Sequence, residues 1–308
     1  MLLNSKRLLM FLSFCMMNVS AVNIGDDNLP HKTCDNKVDD NVSTTCVEYN
    51  TKTLQNSYPT AVNSPNKNSD IKNSINNDIE RIVVPSVSPE NLNKVIKISQ
   101  RFDLCSLALG FHPFFADQVK DEDFKTLSLL LVEHDAVAVG EIGLDKFFDN
   151  IPLSTQEKIL KKQLDIADNL ELPIIVHARG MIDQIIKNIK ERTIKGGIIH
   201  AFNGSLQQAE QLIKLGFKLG FGGVLTYERA KHVRSLAKNL PMESIVLETD
   251  APDMNPSWLE NSLPNEPAQL KKISQIFGKL RGLDTEVIAD TLRRNTIDAL
   301  PKLGKLYT

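Results

Sequence analysis

Residues 173–177 read Pro-Ile-Ile-Val-His, and residues 196–200 read Gly-Gly-Ile-Ile-His. Each is a short apolar run closed by a histidine, and 23 residues separate His177 from His200. That interval holds one strand, one helix and their connections, the repeat of a parallel βα unit. Strands without polar alternation are buried on both faces, as parallel strands beneath helices are. Outward from this pair, similar runs recur at Arg81–Val84, Cys105–Phe111, Ala136–Ile142, Lys218–Val224 and Ser244–Leu247. Between them lie stretches with helical spacing, such as Gln156–Leu170 with Ile159, Leu160, Leu164, Ile166 and Ala167 on one side. The alternation predicts an α/β fold, a TIM-type (β/α)8 barrel with seven strands in view. The eighth has to come from before residue 79.

Composition sets the limits of this reading. The chain has 308 residues, 42% of them hydrophobic, which excludes disorder throughout. Its net charge of −2 excludes a generically basic nucleic-acid binder. Yet from Lys158 to Lys238 there are 14 Lys and Arg against 7 Asp and Glu. That local excess suits an anionic ligand or solvated helix faces equally. The four cysteines (Cys15, Cys34, Cys46, Cys105) do not form a disulfide framework in a chain this long, and no Cys-x-x-Cys pair exists to hold zinc through thiolates. Cys34 and Cys46 can pair only if the chain is exported.

The first 78 residues differ from the rest. In residues 1–21, Lys6 and Arg7 precede an apolar run (Leu8–Met17) and a small-residue site, Val19-Ser20-Ala21. This is the layout of a secretory signal peptide, and the run is too short to span a bilayer. It also reads as a buried strand. Residues 22–78 hold 12 Asn and 7 Asp with Tyr49 and Tyr58 as the aromatics, so they are expected to be mostly disordered. The domain reading is therefore 1–21, 22–78 and a barrel over 79–308.

Four metal-competent side chains close four of the apolar runs: Glu141, His177, His200 and Asp250, spaced by 36, 23 and 50 residues. In a parallel barrel these ends share one mouth, where active sites form. Two imidazoles and two carboxylates there suit Zn²⁺, Mn²⁺ or Mg²⁺. Taken singly, a histidine at a strand end is ordinarily a hydrogen-bonded structural residue, and Glu141 or Asp250 can serve as a helix cap. It is the constellation that points to a metal. His112, in Gly110-Phe111-His112-Pro113, also ends a strand, and ligand, substrate-contact and structural roles are all open to it. His134 and His232 lie in polar, helical surroundings and read as surface residues; His31 falls in the Asn-rich stretch.

At these positions the sequence resembles the TatD family of metal-dependent deoxyribonucleases. The resemblance rests on Ala-Leu-Gly-Phe-His-Pro (108–113), Val-Gly-Glu-Ile-Gly-Leu-Asp (139–145), Leu-Pro-Ile-Ile-Val-His-Ala-Arg (172–179), Ile-His-Ala-Phe-Asn-Gly-Ser (199–205), Leu-Glu-Thr-Asp-Ala-Pro (247–252) and Asn-Glu-Pro-Ala (265–268). It implies a metal-dependent hydrolase barrel that cleaves DNA, as a 3′→5′ exonuclease on single strands or ends, with no stable membrane insertion. It further implies that Glu141 bridges two divalent ions (Mg, Mn or Zn), that His177 and His200 hold the second, and that Asp250 holds the first and orients or deprotonates the attacking water. Arg179 and His112 are then expected to contact phosphate. Family members are mostly cytoplasmic, whereas a true signal peptide implies export.

The chain departs from the pattern at its start. The family opens with a strand ending in His-x-His, two further ligands, and no His-x-His occurs here. If residues 10–18 are that strand, Phe14 and Met16 stand where the histidines would, and both are poor partners for an oxygen-loving ion. Leu263-Pro264 also replaces a position that is commonly basic in the family. Glu141, His177 and His200 still form a His₂-carboxylate set that can leave a position open for water. The expected function is thus DNA phosphodiester hydrolysis. The alternatives are a catalytically inactive TatD-like nucleic-acid-binding protein and a metal-dependent hydrolase of a non-nucleic substrate.

Overall fold

The computed structural model describes residues 67–307. Seven strands follow the seven apolar runs: β1 (Ile82–Pro85), β2 (Cys105–Leu109), β3 (Ala138–Asp145), β4 (Ile174–Arg179), β5 (Gly197–Ile199), β6 (Phe217–Phe221) and β7 (Ile245–Leu247). The helices are α1 (Lys67–Asn76), α2 (Leu92–Arg101), α3 (Asp121–Glu133), α4 (Leu153–Asn169), α5 (Ile182–Lys190), α6 (Leu206–Lys214), α7 (Lys231–Asn239), α8 (Leu270–Arg281) and α9 (Thr285–Ala299). The strands lie side by side in sequence order, and every neighbouring pair is parallel. Crossovers that always step to the next position wind the sheet one way and leave the helices outside, which is the TIM-type α/β fold. The segment read as a possible opening strand, and the whole of residues 1–66, lie outside the described residues.

Each strand divides its side chains between two cores. One residue from each of six strands (Val83, Ala108, Ala138, Ile175, Ile198, Val246) joins a cluster with Ala299, Leu300 and Leu303 from the end of α9 and the turn after it. Their neighbours in the chain, such as Ile82, Val84, Leu107, Leu109, Val139, Ile174, Val176, Ile199, Ile245 and Leu247, pack in the larger cluster with the helices. The period of two thus assigns alternate residues to the interior of the sheet and to the helix layer. In β6 the inward position opposite Ile198 is Lys218, whose Nζ reaches the Glu243 carbonyl at 2.7 Å and the Asp298 carboxylate at 3.7 Å.

Two elements are longer than their sequence patterns indicate. β3 runs four residues past Glu141, and β4 runs three past Val176, so Glu141 and His177 stand within strands and not at their ends. The added residues pair Gly143 with His177, Leu144 with Ala178 and Asp145 with Arg179, after a register irregularity between Val139 and Ile142. Gly143 permits this closeness: a Cβ there would lie 1.9 Å from the His177 carbonyl oxygen. The ordered body also begins before the boundary read at Ile79. Ile71 of α1 packs against the core, Asn73 donates to Glu266, and Lys271 pairs with Asp78 at 2.9 Å. Among the described residues no helix is long and apolar enough to cross a membrane.

Two buried glutamines on α4 hold the ends of β2 and β3. Gln163 accepts from the Phe111 N–H at 2.7 Å and donates to the Phe111 carbonyl at 3.0 Å. Gln156 accepts from the Asp145 N–H at 2.9 Å and donates to the carbonyls of Asp145 and Ile151, both at 3.0 Å. Seven residues apart, they share one helix face. Replacing Gln163 with Leu leaves two buried peptide groups without partners, at about 1–3 kcal/mol each. We expect a loss of about 2–4 kcal/mol in urea unfolding on that basis; a loss below about 1 kcal/mol would show that the clamp is dispensable.

Candidate metal centre

Strand parity delivers the polar groups to one place. Two residues beyond the inward Ile175 comes His177, two beyond Ile198 comes His200, and two beyond Val246 comes Glu248. Four beyond Ala108 comes His112, and the irregularity in β3 turns Glu141 into the same space. Backbone bonds fix the rim: Glu141 N–H donates to the Ser86 carbonyl at 3.0 Å, His112 N–H to Val87 at 2.8 Å, and His200 N–H to Val176 at 2.9 Å.

Glu141 lies at the centre with 0% exposure. His177 Nδ1 is 3.3 Å and His112 Nε2 is 3.7 Å from its Oε1, yet neither Glu141 oxygen completes a hydrogen bond within the protein. His112, Glu141 and His177 can bring one donor atom each within 4.8 Å of one another. His177 Nε2 lies 2.9 Å from Asp145 Oδ2. The His177 and His200 rings stack 6.3 Å apart, linking this group to a second one. There His200 Nδ1 is 3.1 Å from Glu248 Oε1, and His200 Nε2 is 3.5 Å from Asp250 Oδ2. Asp250 Oδ1 and Glu248 Oε2 are buried and accept no hydrogen bond. Gly220 makes room for Glu248, since a Cβ there would lie 2.3 Å from Glu248 Oε2. The backbone is left-handed at Asp250 (φ 57°) and at Ala201 (φ 44°), the latter held by its N–H bond to Glu248 Oε1 at 2.7 Å.

These neighbours shift the titrations. Burial raises the Glu141 pKa, with the imidazoles of His200 and His177 pulling it back. Burial alone would lower the two imidazoles, but carboxylates outweigh it: Asp145 and Glu141 raise His177, and Glu248, Asp250 and Glu141 raise His200 well above the ordinary range. His112 goes the other way, lowered well below its ordinary value by burial and then by His177 and His200, so it is neutral. Its Nδ1 accepts from the Phe114 N–H at 3.2 Å, which leaves the ring proton on Nε2, facing Glu141. Burial and then the charge of Asp250 push Asp253 up to about 7.

All four residues read as ligands therefore meet at this mouth, with His112 among them. Arg179 stands at its edge, 3.9 Å from Asp145 and 27% exposed. His232 bonds the Gly204 carbonyl on the surface, and His134 follows α3, both away from the cluster. Two acids of the cluster, Asp145 and Glu248, carry no role in the sequence reading although their motifs are quoted there. The available signal was parity: a carboxylate two places from Asp250, or four from Glu141, in an otherwise apolar strand, has only the mouth to face. The orphaned oxygens of Glu141 and Asp250 beside imidazole nitrogens form a donor set that fits a divalent ion.

Comparison with known proteins bears on the same residues. A family model described as TatD related DNase matches residues 54–300. An uncharacterized metal-dependent hydrolase of Escherichia coli, YjjV, is 37% identical over 221 residues, covering 71% of this chain and 85% of that protein. An uncharacterized metal-dependent hydrolase of Bacillus subtilis, YabD, is 31% identical over 219 residues, covering 70% of this chain and 86% of that protein. The crystal structure of YjjV, described as a TatD homologue, superposes with a TM-score of 0.73 over 76% of this chain and 92% of that one, at 34% identity. The family model spans most of the chain, and YjjV shares its fold at more than 30% identity; on that evidence the chain belongs to the TatD family of metal-dependent hydrolases.

Proposed function

We propose that the protein hydrolyses phosphodiester bonds of DNA, acting from the 3′ end of single strands. The observation that carries this is the set of buried, unbonded carboxylate oxygens of Glu141 and Asp250 set against His177 and His200. These four residues would hold one or two divalent ions of the Mg²⁺, Mn²⁺ or Zn²⁺ type. Such an ion supplies a Lewis acid that lowers the pKa of water and stabilises charge on a phosphoryl oxygen.

The protein's own residues divide the remaining work. Asp250 Oδ1, free of other bonds, takes the proton of the attacking water. His112, neutral with its proton on Nε2, donates to a non-bridging phosphate oxygen without adding charge beside Glu141. Arg179, at the rim, holds a neighbouring phosphate. With an ion held, Asp145 would keep the proton of His177 on Nε2 and leave Nδ1, beside Glu141, as the donor atom. The phosphate backbone, rather than base edges, supplies most of the attraction, in keeping with the basic excess from Lys158 to Lys238.

The test is cleavage of a single-stranded oligonucleotide by the purified full chain with Mg²⁺ or Mn²⁺. Glu141→Ala is expected to lose at least about 100-fold in kcat/KM, the scale on which a lost charge-stabilising group acts. A folded wild type that binds DNA but cleaves nothing would favour a nucleic-acid-binding barrel without catalysis. Turnover of amides or lactones without DNA cleavage would favour a different substrate.

Metal affinity should rise with pH. The carboxylates around His177 and His200 favour their protonated forms in the metal-free protein, and an ion must displace those protons. Affinity then increases about tenfold per pH unit for each proton displaced, levelling off above the raised pKa values. Calorimetry in buffers of different ionisation enthalpy reads the protons released; a pH-independent affinity would contradict the assignment. Asp145→Asn is expected to weaken binding by about 10–100-fold while leaving the fold intact, as changes behind a ligand do.

A further inference from the structure

The loop after β3 carries two adjacent phenylalanines with different surroundings. Phe148 packs on the core and stacks against His177, ring centroids 6.5 Å apart and planes 12° from parallel. Phe147 is 44% exposed. Arg179 Cζ lies 4.5 Å from the Phe147 ring centroid, and Lys146 Nζ lies 5.1 Å from it. The position of the loop is fixed by Asp145, whose Oδ1 accepts from the Phe147 N–H at 2.8 Å while its Oδ2 meets His177. One carboxylate thus ties the exposed ring to an imidazole of the metal centre.

Burying Phe147 against the protein would be favourable, and the fold does not do so; it backs the ring with a planar guanidinium instead. An aromatic face, a guanidinium plane and a flexible ammonium beside a phosphodiesterase centre match the two repeating parts of a nucleic-acid strand, flat bases and anionic phosphates. A peptide or a lipid surface offers no such alternation.

We propose that Phe147 and Arg179 form a stacking platform for the base of the terminal nucleotide of a DNA single strand, with Lys146 reaching an adjacent phosphate. The assignment rests on the nuclease reading above. It makes the enzyme prefer frayed or single-stranded ends, because a paired base has no free face to offer.

The test uses a single-stranded oligonucleotide with 2-aminopurine as its 3′-terminal base, bound by the full chain in EDTA so that nothing is cleaved. Stacking quenches the probe. In parallel, cleavage with Mn²⁺ compares oligonucleotides whose 3′-terminal nucleotide carries a base or is abasic. The wild type should quench the probe and show a KM about tenfold lower for the base-bearing end, the scale of one base–aromatic stack. Phe147→Ala should lose both the quenching and the discrimination, and Phe147→Tyr should regain them. The Phe147 side chain is largely exposed and its N–H bond to Asp145 is made by the backbone, so Phe147→Ala keeps the loop anchored. If Phe147→Ala quenches and discriminates like the wild type, or if the wild type cleaves both ends equally, the platform is wrong and the nuclease reading stands. If the wild type neither binds nor cleaves any oligonucleotide, the nuclease reading falls and the platform with it.

Discussion

Glu141 has no exposed surface, and neither of its oxygens is hydrogen-bonded within the protein. An isolated carboxylate in such a place is disfavoured by several kcal/mol, so the structure around it must supply positive charge. His177 and His200 do this because Asp145, Glu248 and Asp250 raise their pKa values. The acids favour protons on the imidazoles, and the imidazoles offset part of what burial does to the Glu141 carboxylate. His112 does not join as a cation, since burial and then the two imidazoles oppose its charge, and it remains a neutral donor. A divalent ion entering here replaces protons that are already in place and leaves the overall charge of the mouth near balance.

The same strands that assemble this mouth also insulate the fold from it. Toward the other end of the sheet the inward positions are Val83, Ala108, Ala138, Ile175, Ile198 and Val246, closed by Leu300 and Leu303. Moving two residues along β4, β5 and β7 exchanges aliphatic groups for His177, His200 and Glu248 without altering the alternation. Gln156 and Gln163 then brace the outer ends of β2 and β3, so His112 and Asp145 are positioned by a helix and not by loops. Precision at the site comes from elements whose own stability does not depend on the polar layer.

The barrel was legible because its signal is repeated: seven apolar runs at βα spacing, each recovered as a strand. The residues that meet at the mouth were legible because each interrupts an apolar run. The strand ends were less so. Nothing in the chain marks that β3 and β4 continue together to Asp145 and Arg179, because that extension depends on Gly143 meeting the His177 backbone, a contact between residues far apart in sequence. Asp145 and Glu248 were missed for a related reason. Their partners are imidazole nitrogens on neighbouring strands, and an acid beside a motif residue looks like any solvated acid until register is known. Helix α1 was hidden by composition: its sequence is polar, and it meets the rest of the fold through Ile71 and the buried Ser74.

The balance of forces at the mouth also bears on why the polar layer is there at all. Buried ion pairs contribute little to stability, and well-packed apolar residues of similar volume are commonly as good or better. The lower layer already provides that kind of core. If the barrel served only as a scaffold, leucine or methionine at Glu141, His177 and His200 would continue the aliphatic filling upward. Instead three imidazoles and five acids, counting Asp253, converge where each raises the cost of its like-charged neighbours. That arrangement is favourable only with a cation among the acids. Protons satisfy it at low pH, and on the proposed function a divalent ion does so at neutral pH, which makes the site's electrostatics, and not the fold around it, the reason these side chains stand together.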